Sequence, residues 1–336
     1  MIEARDLTKI YGEYRAIDKV SFEVRKGEVL GFLGPNGAGK TTTMKILTCF
    51  IAPTDGTAKV NGCDVFEDSL GVRKAIGYLP ESTPLYVEMM VLEYLEWAAR
   101  MRGLRGEEAN KAIKRVVEET ALGDVLAKEI RELSKGYRQR VGLAQALVHL
   151  PPILILDEPM SGLDPNQAIE IRDLITTIGK ERTVILSTHN LAEVQVSCDR
   201  VLIIAKGKIV ADDTPQALTD RGGKGRVVVS FVKNGKSEAE LREILGRVSG
   251  TDLVRPIDSL AGEISFEVVP SGTTDLRPSI FRAAVENNVT LIGLRQESQN
   301  LENIFRDLTT SADTSKKSGP KSESAKSGSS SESKDA

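Results

Sequence analysis

The stretch "EVLGFLGPNGAGKTTTMKIL", residues 28–47, decides the fold. Its first seven residues form a short, nearly continuous apolar run that ends in glycine, the pattern of a strand buried on both faces. From Lys40 onward the chain reads as a helix. Between the two, Gly34, Pro35, Asn36, Gly37, Ala38, Gly39, Lys40 and Thr41 fit the spacing G-x-x-x-x-G-K-[ST]. The glycines let successive backbone N–H groups face one centre, and such a nest at a helix N-terminus binds the phosphates of a nucleotide. Lys40 would then reach the β- and γ-phosphates, the Thr41 hydroxyl would ligate Mg²⁺, and Thr42 would add a phosphate contact. A glycine-rich turn before an ordinary helix is the bland alternative. The order strand, loop, helix argues against it.

Two further runs, "ILIL" (153–156) and "TVILS" (183–187), have the same buried-strand character. Separated by helical stretches, they imply an α/β fold with a parallel sheet. Val20, Phe22 and Val24 alternate with Ser21, Glu23 and Arg25, so the N-terminal strands are expected to add an antiparallel edge. "VLIIAKGKIVA" (201–211) reads as a hairpin turning at Lys206-Gly207. In open α/β sheets ligands bind beyond the carboxyl ends of the strands. The 153–156 strand delivers Asp157 and Glu158 there: Asp157 suits Mg²⁺ coordination through water, and Glu158 suits a general base on an attacking water. Adjacent carboxylates at a strand end are, taken alone, most often a solvated turn. A phosphate loop at the same sheet edge reverses that preference. His189, closing "VILSTH", reaches this edge too and is placed to touch a γ-phosphate, whereas His149 reads as a histidine at a helix C-terminus.

The 336 residues allow more than one domain, and 40% hydrophobic with 28% charged content is that of an ordinary globular protein. A formal net charge of −3 offers no basic excess for nucleic acid. Cys49, Cys63 and Cys198 lack metal spacing and suggest a reducing compartment. The charged N-terminus shows no signal segment, and no apolar run approaches the roughly 18 residues that span a bilayer. Residues 1–220 read as one domain, with a helical subdomain at about 85–150. A glycine-rich linker follows, and then strand-helix alternation typical of a small α+β domain at 224–308. The Ser/Lys/Glu-rich tail at 311–336 reads as disordered.

With these motifs in order, residues 1 to about 220 resemble the ATP-binding subunit of an ABC transporter, a P-loop NTPase cassette with a mixed sheet and an inserted helical subdomain. "LTKIYG" supplies Tyr11, which the resemblance places against adenine. "IGYLPE" occupies the Q-loop with Glu81 where glutamine is usual, implying contact with Mg²⁺ or the attacking water. "LSKGYRQR" (133–140) stands for the signature, implying that Ser134 and Gly136 meet the γ-phosphate of a second cassette. "SGLD" (161–164) is the D-loop and "STH" the switch histidine. The resemblance implies ATP and Mg²⁺ as ligands and a head-to-tail homodimer sandwiching ATP. It implies a separate permease that holds the chain at the inner face of the membrane, and it gives no nucleic-acid partner. "YLPE…PLY" with "LSKGYRQR" is similar to the ABC-2 subgroup, which includes gliding-motility-associated ATP-binding subunits, and implies export. A soluble ABC ATPase of translation or DNA repair is the alternative. A single cassette, and the short distance from Lys40 to Asp157, speak against it.

Overall fold

The computed structural model describes residues 1–221, 226–233, 236–259, 262–272 and 275–297. The 311–336 tail, and "LENIFRDLT" at the end of the expected second domain, lie outside the described residues. The chain opens with β1 (Ile2–Tyr11), β2 (Tyr14–Val24), β3 (Val29–Leu33), α1 (Lys40–Leu47), β4 (Asp55–Val60), β5 (Cys63–Asp64), α2 (Ser69–Ala75) and β6 (Ile76–Leu79). The helical stretch holds α3 (Val91–Met101), α4 (Gly106–Glu119) and α5 (Lys135–Leu147). Then come β7 (Ile153–Asp157), α6 (Pro165–Gly179), β8 (Thr183–Thr188), α7 (Leu191–Ser197), β9 (Arg200–Ala205), β10 (Lys208–Asp213) and α8 (Pro215–Arg221).

The principal sheet has the order β10-β9-β3-β8-β7-β6. β3 pairs in parallel with β8 and β9, and β7 with β8 and β6. Register sets Leu33 beside Thr188 and Asp157 beside Ser187. Gly34, His189 and Glu158, each one residue further on, therefore leave three adjacent strands at the same edge. All five residues of β7 are buried, and successive side chains serve opposite faces. Ile153 and Ile155 join α1, β1 and β2 in one core, while Leu154 and Leu156 join α3, α5 and α6 in the other.

The N-terminal strands do not extend this sheet as the sequence suggested. β2, β1, β4 and β5 form a separate four-stranded antiparallel sheet, and its Phe22 ring packs on Phe32 of β3 at 5.6 Å. The antiparallel edge of the principal sheet is instead β10, turned back from β9 at Lys206 and Gly207, both at positive φ. β1, β4 and β6 are not evident in the sequence. β1 changes register three times against β2, which breaks its alternation, and β6 is only four residues long.

At the start of the helical stretch Val91, Tyr94 and Leu95 are fully buried. Trp97 is partly buried in the same core, stacked on Tyr94 at 5.7 Å. Val87 and Met90 stay exposed. His149 donates from Nε2 to the Ile76 carbonyl at 3.0 Å, so it is a structural tie to β6. Burial lowers its pKa to about 4, and Arg102 pushes the same way. The folded state thus prefers neutral His149, and stability is lost as pH falls from about 6.5 towards 4. His149→Gln is expected to flatten the denaturation midpoint across that window, removing about 1–2 kcal/mol of pH dependence after allowance for partial solvent exposure.

The remaining elements are β11 (Arg226–Val232), α9 (Glu238–Gly246), β12 (Thr251–Ile257), β13 (Glu263–Pro270), α10 (Arg277–Glu286) and β14 (Leu291–Glu297). Their sheet order is β12-β13-β11-β14, antiparallel throughout, which makes the body a split β-α-β of the ferredoxin-like kind. Val229, Phe231, Phe266 and Val268 face Leu241, Leu245 and Ile280 of the two helices. The sequence suggested this alternation without β12, an edge strand interrupted by Pro256, in which only Val254 is buried.

Candidate functional site

The phosphate loop connects β3 to α1. Gly34 N–H donates to the Thr188 carbonyl at 3.4 Å. A methyl group on Gly34 would come within 2.4 Å of the Ile204 carbonyl oxygen, so glycine is required there. Gly39, at φ 111°, would drive a side chain into Ile17 and the Ala16 carbonyl. It precedes α1 as an N-cap without a side-chain bond, and no acidic residue stands in the first turn. The helix therefore presents its N–H groups and the positive end of its dipole to the cavity above. Lys40 Nζ donates to the Gly34 carbonyl at 2.7 Å and lies 3.2 Å from Glu158 Oε1.

That cavity, of about 330 Å³, is lined by Pro35, Asn36, Gly37, Gly39, Lys40, Thr41 and Thr42 on the loop side. Tyr11, Tyr14, Ala16, Glu81 and Glu158 complete it. Gly34 and Ala38 lie beneath the loop: Ala38 is buried, and its carbonyl accepts from Gly207 N–H at 2.9 Å. Tyr14 was not singled out from sequence, yet it pairs across the β1–β2 hairpin with Tyr11 and donates its hydroxyl to the Gly37 carbonyl at 3.2 Å. The only sequence signal was a second aromatic three residues after Tyr11 in "YGEY".

Asp157 is fully buried, and among the described residues neither of its carboxylate oxygens has a hydrogen-bond partner. Burial raises its pKa, and the nearby Ser187 and Thr41 hydroxyls offset this only in part. The donor set of Asp157 with Thr41 and Glu81 is all oxygen, which is what Mg²⁺ takes alongside phosphate and water. No cluster of three His, Cys, Asp or Glu exists among the described residues, so any cation here leans on the phosphates as well. Asp157→Asn removes a carboxylate whose charge the fold disfavours. The nucleotide-free protein is expected to gain about 1 kcal/mol near neutral pH, with the gain vanishing in acid, while Mg²⁺-dependent ATP binding is lost. Thermal melts with and without Mg²⁺-ATP check both halves.

Glu158 stands at φ 51°, a backbone conformation that costs energy and that functional sites tend to retain. Its N–H donates to the Ser187 carbonyl at 2.9 Å, which ties it to β8. Its carboxylate lies between two nitrogens: Lys40 Nζ on one oxygen and His189 Nδ1 on the other, at 2.8 Å. Glu158 is buried while the His189 side chain is 54% exposed, so the imidazole closes the site towards solvent.

The "LSKGYRQR" segment is elsewhere. Ser134 caps α5, its hydroxyl accepting from Tyr137 N–H at 3.3 Å. Neither Ser134 nor Gly136 lines the cavity of its own chain. Gly136 is buried, and a methyl there would meet the Gln167 side chain at 2.8 Å, so within the chain it seats α5 on α6. Lys135 reaches the D-loop: a side chain at Gly162 would collide with its ammonium. Arg140 extends the contact with an ion pair to Glu170 at 2.7 Å.

Comparison with known proteins places this geometry. The family model described as "ABC transporter" matches residues 17–161. The chain is 30% identical over 310 residues to the linearmycin resistance ATP-binding protein LnrL of Bacillus subtilis, covering 92% of this chain and 98% of that one. It is 40% identical over 219 residues to the probable multidrug ABC transporter ATP-binding protein YbhF of Escherichia coli, covering 65% of this chain. It spans only 38% of YbhF's length. A dimeric post-hydrolysis state of the ATP-binding cassette MJ0796, bound to ADP and Pi, superposes with a TM-score of 0.59 at 25% identity, covering 64% of this chain and 98% of that one. The chain belongs to the family of ABC transporter ATP-binding proteins.

Proposed function

We propose that the chain is the ATP-hydrolysing subunit of an ABC-2-type exporter, working as a head-to-tail pair of cassettes coupled to a separate permease. The observation that carries the reading is the Lys40–Glu158–His189 chain of contacts at the mouth of the phosphate cavity. ATP occupies the cavity with adenine against Tyr11, its triphosphate on the loop from Gly34 to Thr42 and its γ-phosphate towards Lys40. Thr41 and Asp157, with Glu81 nearby, would hold Mg²⁺, which would supply charge neutralisation at the phosphates. Lys40 turns from Glu158 to the phosphates, which frees the carboxylate. Glu158 then takes a proton from water as the water oxygen bonds to the γ-phosphorus, the bond to the β-phosphate bridging oxygen breaks, and ADP and phosphate leave. His189 holds the far oxygen of Glu158 and steadies the base.

The distance of Ser134 and Gly136 from their own cavity supports a second cassette as the partner that brings them to phosphate. The dimeric MJ0796 structure supports it further. Ser134→Arg is expected to abolish ATP-driven dimerisation while leaving monomer ATP affinity within about twofold. Size-exclusion chromatography in a Glu158→Gln background decides it, and survival of the dimer would overturn the trans-acting role. The permease surface is assigned to the exposed Tyr86, Val87, Met90 and Leu92, an apolar patch at the start of α3. Among the described residues no helix is long and apolar enough to cross a membrane. Attachment to the inner face of the membrane is therefore assigned to the permease. We divide the chain into an ATPase domain at 1–220 and an accessory domain at 224–308. The central test is phosphate release by the full chain, which should require Mg²⁺, Lys40 and Glu158 together.

A further inference from the structure

Glu193 lies on the first turn of α7, four residues after the switch histidine, and no motif assigns it a task. Its two carboxylate oxygens receive different donors. Thr188 Oγ1 donates to Oε2 at 2.6 Å, and Asn190 Nδ2 donates to Oε1 at 3.1 Å. Those donors are the residues immediately before and after His189. Asn190 N–H in turn donates to Thr188 Oγ1 at 3.0 Å, which closes a small ring of hydrogen bonds between the two chain neighbours of His189. Thr188 is fully buried and accepts the Gly34 N–H, so the ring is anchored to the start of the phosphate loop. An ordinary capping box would have the glutamate accept the N-cap backbone N–H; here the carboxylate is spent on the two side chains that flank the histidine.

We propose that Glu193 is a positioning residue for His189: by holding Thr188 and Asn190 it fixes the imidazole against Glu158. Burial raises the Glu193 pKa, the Thr188 hydroxyl bond partly offsets this, and the nearby Glu158 charge adds to the rise. The Thr188 and Asn190 side-chain bonds both act against that rise. The alternative is that Glu193 only stabilises α7.

The kinetic arm of the test rests on the hydrolytic reading above, and the spectroscopic arm does not. The chain has two histidines, so imidazole NMR of the nucleotide-free full chain reads His189 with His149 as an internal control. Glu193→Ala should shift and broaden the His189 ring resonances and leave those of His149 in place. Glu193→Gln, which keeps one acceptor, should move them less. In steady-state ATP hydrolysis, Glu193→Ala should lower kcat about tenfold with KM within about twofold. Combined with His189→Ala it should be no slower than His189→Ala alone, because the two changes act through one group. Additive losses, an unmoved His189 resonance or equal movement of both histidines would each overturn the proposal. If the unmodified chain releases no phosphate, the hydrolytic reading fails, and the His189 resonance alone decides whether Glu193 positions the ring.

Discussion

Replacing Lys40 with alanine is expected to lower ATP affinity and turnover by hundreds- to thousands-fold. The size follows from the double use of this ammonium. In the nucleotide-free site it donates to the Gly34 carbonyl and faces Glu158, with both side chains of the ion pair more than nine-tenths buried. Removing one member of a buried pair costs up to about 3–5 kcal/mol when the other is left uncompensated, and here Glu158 keeps only its contact with His189. The variant should therefore also melt earlier than the parent, and adding Glu158→Gln should restore part of the lost stability. Calorimetric titration with ATP and a thermal melt of both variants separate the two effects. An unchanged melting temperature would show that the pair does not hold the resting site together.

Glu158→Gln should behave in the opposite sense towards ligand. The amide cannot take a proton from water, so turnover should fall about 10²- to 10⁴-fold, the range a positioned general base supplies. ATP binding should be equal or tighter, because the phosphates no longer compete with a carboxylate for Lys40. The substitution leaves the backbone N–H bond to the Ser187 carbonyl in place, and the site should otherwise hold its shape. Single-turnover phosphate release against ATP affinity gives both numbers. A variant that loses binding and turnover together would remove Glu158 from the role of base.

Much of this site was legible in the chain because its residues sit at fixed offsets from buried strands. Gly34, Asp157 and His189 follow apolar runs whose register needs no tertiary knowledge, and parallel pairing brings those strand ends together. Glu193 was illegible for the converse reason. A glutamate in the first turn of a helix reads as a solvated face, and only the turn between Thr188 and Asn190 shows that it points inward. Gly136 was read for its freedom to approach a phosphate, while its place in the folded chain is set by Gln167, which no spacing rule connects to it. β2 was visible but its sheet was not, since alternation tells which face is buried and not which neighbour buries it. β12 was lost because proline and exposed side chains gave it no pattern.

α1 has one consequence for dynamics. It is an eight-residue helix whose first turn has no side-chain cap from its own chain. A helix so short is marginal by itself, and a phosphate group over its N-terminus would satisfy the N–H groups the protein leaves open. Ligand capture and the ordering of residues 34–47 are then one equilibrium. Amide exchange in this segment should slow in step with nucleotide occupancy, while the β7 amides, buried between two cores, should hardly respond.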